Sequence, residues 1–203
     1  MARVSFFIDG FNFYHSLKAD PKYNKYLWLD YKRFLENYVR KKDVLADIYY
    51  FSAYAHWDQI RVKRHKMLVD TWRNTGIIPV MGDFKEKDRF CNNCRTYFKS
   101  HEEKQTDVNI AIYIIKEAFE DSYDTAILVT NDTDLVPAIR MLKNTFPRKR
   151  IGVLFPIDRW SSELSQECHF WRKTKRKQLS RSQLPETVIL PSGITFQRPQ
   201  SWK

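Results

Sequence analysis

A chain of 203 residues with 43% hydrophobic content is long enough for one sizeable domain with a real core plus an appendage. No run approaches the roughly 18 apolar residues of a membrane span, and the opening Met1-Ala-Arg-Val-Ser-Phe-Phe-Ile-Asp9 lacks the form of a secretory leader, its apolar stretch being short and closed by an acid. The net charge of +11 is unevenly placed: from Arg172 to Lys203 eight basic residues meet the single acid Glu186, a pattern that suggests a polyanion such as nucleic acid as partner, or else a solvated solubility tail.

Residues 3–8 form a short apolar run closed by Asp9-Gly10, the pattern of a buried strand. Residues 11–18 open a helix, and 20–24 read as a loop. Residues 31–40 carry Phe34, Leu35, Tyr38 and Val39 at helical spacing. β-Branched and aromatic residues dominate 44–54, which predicts a strand. A long helix spans 57–74, with Ile60, Arg64, Met67, Leu68 and Thr71 at helical intervals and Gly76 as its stop. Residues 77–81 make a third strand, and Pro79 places it at an edge. Residues 85–102 are polar, hold Cys91 and Cys94, and read as an excursion from the core. An amphipathic helix covers 107–119, with Val108, Ala111, Ile112, Ile115 and Phe119 as its inner face. A strand over 125–130, a helix over 134–143 with Pro137 in its first turn, a strand over 150–155 and a short helix over 161–166 follow. Past Ser180, the residues Pro185, Pro191, Gly193 and Pro199 predict an extended, weakly structured end. The organisation expected is a domain over 1–171 and a basic tail over 172–203. Strands alternating with helices imply an α/β domain with a mostly parallel sheet, in which ligands bind beyond the carboxyl ends of the strands.

Four acids sit where such a sheet would gather them. Asp9 follows the first strand directly, Asp132 and Asp134 follow the strand that ends in Val129-Thr130-Asn131, and Asp107 opens a helix with Glu103 four residues earlier. Carboxylates brought together repel, so they need a cation, and hard oxygen donors suit Mg²⁺ or Mn²⁺. Phosphodiester hydrolysis needs charge neutralisation at the phosphate and an activated water, both of which carboxylate-held ions supply. Taken singly each acid has an ordinary explanation: Asp132 and Asp134 as helix caps, Asp107 as a complement to a helix dipole, Asp9 as a turn residue. Four in coherent places favour one shared metal site.

Three segments, Phe7-Ile-Asp-Gly-Phe-Asn12, Glu103-Lys-Gln-Thr-Asp-Val-Asn109 and Asp124-Thr-Ala-Ile-Leu-Val-Thr-Asn-Asp-Thr-Asp-Leu-Val-Pro137, resemble the signatures of NYN domains, most nearly the LabA-like branch of that PIN-like ribonuclease group. The similarity runs over about residues 3–170, and Ser182-Gln-Leu-Pro185 also looks like the end of such proteins. The resemblance implies a PIN-like three-layer α/β/α fold with a central mostly parallel sheet, and Mg²⁺- or Mn²⁺-dependent cleavage of RNA. By residue it implies Asp9, Asp107, Asp132 and Asp134 as metal ligands and catalytic acids, Asn12 as an orienting residue, and Lys104 as a phosphate contact. Asn131 stands where the family usually has Gly, and Thr133 where it has Ser; Asn tolerates left-handed backbone better than most residues.

Cys91-Asn-Asn-Cys94 has the spacing of half a structural zinc site, and a whole one needs two further ligands. The pair is therefore either part of a Zn²⁺ knuckle, as the Cys pair of similar proteins suggests, or two free thiols. With Cys168 the three cysteines cannot all pair within one chain, which points to a cytoplasmic protein with reduced thiols. Phe11, Phe13 and Tyr14 lie just past Asp9, and Phe11 is a candidate to stack an unpaired base, with core packing the plainer role for at least one of the three. The expected function is a metal-dependent endoribonuclease acting on single-stranded RNA, helped by Lys104 and the basic tail, in a protein without a membrane segment and, since PIN-like proteins often dimerise, as a homodimer. The rivals are a non-catalytic RNA-binding or regulatory protein that keeps the acidic pocket, and an aspartyl phosphatase, for which Phe11 stands where the second acid of Asp-x-Asp is needed.

Overall fold

A computed structural model describes residues 1–203. In chain order the elements are β1 (Arg3–Asp9), α1 (Gly10–Lys18), a 3-10 helix (Pro21–Leu27), α2 (Tyr31–Glu36), β2 (Val44–Ser52), α3 (Gln59–Asn74), β3 (Ile77–Met81), β4 (Asp83–Cys91), β5 (Thr96–Lys104) and α4 (Thr106–Phe119). They continue with β6 (Thr125–Val129), a 3-10 turn (Thr133–Leu135), α5 (Val136–Thr145), β7 (Arg150–Phe155), α6 (Ser162–Glu167), β8 (Phe170–Lys173), α7 (Arg176–Arg181), β9 (Thr187–Ile189), β10 (Thr195–Gln197) and a last 3-10 turn (Gln200–Trp202). Six strands make one parallel sheet in the order β3-β2-β1-β6-β7-β8.

Residues alternate between the faces of a strand, and here both faces are covered. Phe6 and Ile8 of β1, Ile48 and Tyr50 of β2 and Ile127 and Val129 of β6 join one core, filled by Phe13 and Leu17 of α1, Phe34 and Leu35 of α2 and Leu68, Val69 and Trp72 of α3. Phe7, Tyr49, Phe51, Ala126 and Leu128 point the other way, onto Ile110, Ile114 and Ala118 of α4 and Ile139 and Leu142 of α5. The result is the expected three-layer α/β/α arrangement, with β1 at its centre. β3 is an edge strand, as Pro79 requires. No helix is long and apolar enough to cross a membrane.

Several expectations change. On α4 the buried stripe is Thr106, Ile110, Ile114 and Ala118, whereas Val108, Ile112 and Phe119 are 61%, 54% and 67% exposed. The helix is apolar on more than one face, so its periodicity could not choose the inward one. On α3, Val62, Leu68, Val69 and Trp72 turn inward and Ile60 is exposed. α2 stops at Glu36, where the Asn37 amide donates to the Arg33 and Phe34 carbonyls. The segment read as a loop at 20–24 lies in a 3-10 helix capped by Asp20. The excursion is a β4–β5 ribbon whose strands pair with each other alone.

The end of the chain is not weakly structured. β8 extends the main sheet beside β7, and Leu179, Leu184, Val188, Leu190 and Trp202 belong to the first core. Trp28 Nε1 donates to the Pro185 carbonyl at 2.8 Å, Trp202 packs against the Trp28 ring, and Arg198 donates to the Lys25 carbonyl. The prolines and the glycine that suggest an extended tail here shape turns around buried apolar residues. Trp202→Ala is expected to lower stability by about 3 kcal/mol, at the lower end for losing a buried tryptophan, and the thermal midpoint by roughly 6–12 °C. A loss within about 0.5 kcal/mol, usual for a surface change, would contradict a docked tail.

Candidate metal centre

β1 and β6 are neighbours and end together, Ile8 lying opposite Val129. Asp9 is the last residue of β1 and only 4% exposed. Gly10 then starts α1 without a linker, and the place takes only glycine, since a Cβ there would sit 2.6 Å from the Phe51 carbonyl oxygen and 2.7 Å from the Tyr50 ring. Past β6, Thr130 and Asn131 lead to Asp132, whose carboxylate accepts from the Asp134 N–H and so caps the 3-10 turn. The third contributor comes from α4. Gln105 takes a left-handed conformation (φ 77°), Glu103 Oε1 accepts from the Thr106 N–H at 3.0 Å, and Asp107 stands in the first turn. Carboxylate oxygens of Asp9, Asp107 and Asp132 all lie within 4.8 Å of one another.

Hydrogen bonds hold this group from behind. The Asn12 N–H donates to Asp9 Oδ1 at 2.9 Å and Thr130 Oγ1 donates to Asp9 Oδ2 at 2.9 Å, while the Asp132 N–H donates to Thr130 Oγ1 at 3.0 Å. Asn12 Oδ1 accepts from the Asn131 N–H at 3.0 Å, tying α1 to the turn after β6. The cleft that opens above has a volume of about 280 Å³ and is walled also by Phe11, His15, Glu103 and Arg159. Burial is the main cause that lifts the Asp9 carboxyl to about 6; the Asn12 and Thr130 hydrogen bonds oppose it, and Asp107 and Asp132 add to the rise. Burial likewise lifts Asp107 to about 6, followed by repulsion from Asp132, Glu103 and Asp134. His15 is held below its usual range by burial and then by Arg159.

Of the residues singled out in the sequence, Asp9, Asp107, Asp132, Asn12 and Phe11 line the cleft. Asp134 does not join the convergent group: capping by Asp132 turns the backbone, so its own side chain is exposed, near enough to Asp107 only to repel it. Lys104 is not at the cleft either; its ammonium lies along the ribbon, 2.9 Å from Glu102. Asn131 is absent from the residues with positive φ, so the turn does not use the tolerance for left-handed backbone expected of it. Sequence reasoning passed over Arg159. It follows β7 in a loop fixed by the Tyr23 hydroxyl, which donates to Asp158 at 2.8 Å, and its place just beyond a strand's carboxyl end was the available signal.

The donor set fits a hard divalent ion. Three carboxylates converge, the buried side-chain oxygen of Asn131 in the same wall has no hydrogen-bond partner, and no Lys or Arg forms an ion pair with any of the three acids. Cys91 and Cys94 at the ribbon's tip supply two ligands and form no complete zinc site within one chain.

The family model of the NYN domain matches residues 3–172, most of the chain. The chain belongs to the NYN domain family. NYN domains are PIN-like nucleases, and the matched span of this one carries all three acids of the cleft. The NYN chain is 25% identical, over 98% of its length and 75% of the relative's, to 6-hydroxy-3-succinoylpyridine 3-monooxygenase HspA of Pseudomonas putida. It also shares its fold with a crystal structure of a Vibrio parahaemolyticus protein of unknown function, with a TM-score of 0.59 and 18% identity over 86% of this chain and 94% of that one.

The raised carboxyls make stability depend on pH. A carboxyl near 6 when folded and near 3.8 when unfolded favours folding at low pH, and that contribution is lost as pH rises from about 4 through about 6. In EDTA, Asp107→Asn is therefore expected to gain in thermal midpoint over the wild type between about pH 5 and pH 7.5, and added Mn²⁺ is expected to raise the wild-type midpoint more at the higher pH. A difference that shrinks with pH would contradict the repulsive cluster.

Proposed function

We propose that this NYN protein is an endoribonuclease that hydrolyses RNA phosphodiester bonds at the Asp9–Asp107–Asp132 cleft with Mg²⁺ or Mn²⁺. The reading is carried by the convergence of three carboxylates, drawn from two strand ends and a helix start, on one cleft. Such an ion, when bound, supplies polarisation of a phosphoryl oxygen and activation of a water. The chain's own residues do the rest. Asp9, Asp107 and Asp132 hold the ion, and Asn12 and Thr130 keep Asp9 and the Asp132 turn in place. Glu103 lines the cleft beside them, and both Glu103 and the exposed Asp134 add negative charge near Asp107. Arg159, which makes no ion pair with any carboxylate, pairs with a non-bridging phosphate oxygen.

Single-stranded RNA is the substrate that the surroundings suit. Phe11 meets Phe84 edge to face at 5.5 Å, Phe84 meets Trp57 at 4.7 Å, and Trp57 stacks on His101 at 3.6 Å. This row of rings leads from the acids along the base of the ribbon, and Trp57 within it is 45% exposed. Unpaired bases stack on such rings at about 1–3 kcal/mol per base. The positive balance of the chain favours the same partner.

A second reading comes from the Pseudomonas relative, whose name describes a monooxygenase acting on a hydroxylated pyridine. The donors favour hydrolysis over it. Non-haem Fe(II) oxygenases typically use two His and one carboxylate, and His15 is the one imidazole in the cleft wall.

The test is a cleavage assay on fluorescent single-stranded RNA with and without Mn²⁺. Asp107→Asn is expected to lower kcat roughly 100-fold or more, the scale of losing one preorganised electrostatic contact at a reacting centre, with RNA binding nearly unchanged. Trp57→Ala is expected to raise KM roughly tenfold at near-constant kcat. RNA bound without cleavage in either ion, or oxygen uptake with an electron donor in place of cleavage, would overturn the reading.

A further inference from the structure

The β4–β5 ribbon raises a question that the cleft does not answer. Its strands stay in continuous antiparallel register from the Asp83–Lys104 pair to the Cys91–Thr96 pair, a length of roughly 27 Å at about 3.4 Å per residue. Phe84 and His101 anchor the near end on Phe11 and Trp57. From Lys87 to Phe90 and from Asn92 to Lys99 every residue is exposed. A lone two-stranded ribbon is marginal in water, yet this one carries bare aromatic rings outward: Phe90 and Tyr97 meet at 5.1 Å while 48% and 77% exposed, and Phe98 is 49% exposed.

The far end is built as a thiol turn. Cys91 closes β4, its carbonyl accepts from the Arg95 N–H at 2.8 Å, and Arg95 takes a left-handed conformation (φ 54°) that closes the turn holding both cysteines. Cys94 Sγ lies 2.9 Å from Thr96 Oγ1. The Cys91 thiol is the other hydrogen-bonding neighbour of the Cys94 side chain, so the two sulfurs share this turn. Two neighbouring cysteines are half of a tetrahedral zinc site. The same chain offers no second half. Cys168 is buried under α5 and α6 in the second core. His101 pairs with Glu86 in the ribbon register, five residue pairs from the tip or roughly 17 Å, and is stacked on Trp57.

We propose that Cys91 and Cys94 of two copies of this chain bind one shared Zn²⁺ through four thiolates, joining the ribbons tip to tip. The site is incomplete without the second copy, and tip-to-tip contact covers the Phe90 and Tyr97 rings that one chain leaves 48% and 77% exposed. Four thiolates around Zn²⁺ leave a negative centre, and Arg95, next to Cys94 and without an ion-pair partner, stands beside it in each copy. Four thiol protons pass to solvent as the ion binds. The ion staples the end of each ribbon, whose base carries the rings of the cleft's aromatic row.

Zinc content by elemental analysis and mass by sedimentation, on the full chain purified with zinc, test this directly. The expected result is one zinc per two chains in a dimer. A strong chelator, or the C91S/C94S double variant, should return a zinc-free monomer. Cobalt(II) should take the same stoichiometry with the thiolate charge-transfer absorption of a tetrahedral site. One zinc per monomeric chain, a dimer that survives C91S/C94S, or no zinc taken up while both thiols stay reactive would each overturn the proposal. None of these outcomes depends on whether the cleft cleaves RNA.

Discussion

Three carboxylates held within 4.8 Å of one another at the edge of a buried sheet repel, and the surrounding architecture is arranged around that repulsion. Asp9 cannot withdraw, because the β1 backbone is paired on both sides and Gly10 leaves no slack before α1. Asp132 is fixed through Thr130 and by its own capping bond, and Asp107 by the helix that Glu103 caps. Partial positive charge at helix N-termini eases the crowding, since Asp9 caps α1, Asp132 caps a 3-10 turn and Asp107 sits in the first turn of α4. The easing is incomplete, as the rise of Asp9 and Asp107 to about 6 records. A divalent ion removes the remainder, so the fold stores a binding preference in its own strain.

The sheet order explains why the acids meet. Placing β1 between β2 and β6 brings the first strand of the chain beside a strand more than a hundred residues later, and their carboxyl ends share one edge. α4 runs along the same face, so its start reaches that edge too. The ribbon leaves the same carboxyl edge, just after β3, and returns to α4 just before Asp107. Gly82 lets it depart closely, since a Cβ there would lie 2.7 Å from the Lys104 carbonyl. The ribbon and the acidic group are thus mechanically joined through five residues, 103–107.

Much of this was legible in the sequence, for physical reasons. Buried parallel strands write themselves as unbroken apolar runs, so β1, β6 and β7 and the acids after β1 and β6 stood out. Asp107 needed the helix start, which periodicity gave. What failed depended on direction rather than on identity. Lys104 and Asp107 lie three residues apart, yet a strand-to-helix change sends one along the ribbon and the other into the cleft. Asp134 is two residues from Asp132, but a 3-10 turn separates their side chains. The apolar residues of α4 fit either face, and the choice between them was made by the sheet. Arg159 and the docking of Trp202 on Trp28 rest on contacts between distant parts of the chain, which no local pattern encodes.

Anomalous scattering from a crystal of the protein grown or soaked with Mn²⁺ tests the central claim most directly. The account predicts one strong peak bounded by Asp9, Asp107 and Asp132, with oxygen distances of roughly 2.0–2.3 Å, and its loss in Asp107→Asn. A fully occupied ion elsewhere with this group bare, or carboxylates that stay apart when Mn²⁺ is saturating, would contradict it.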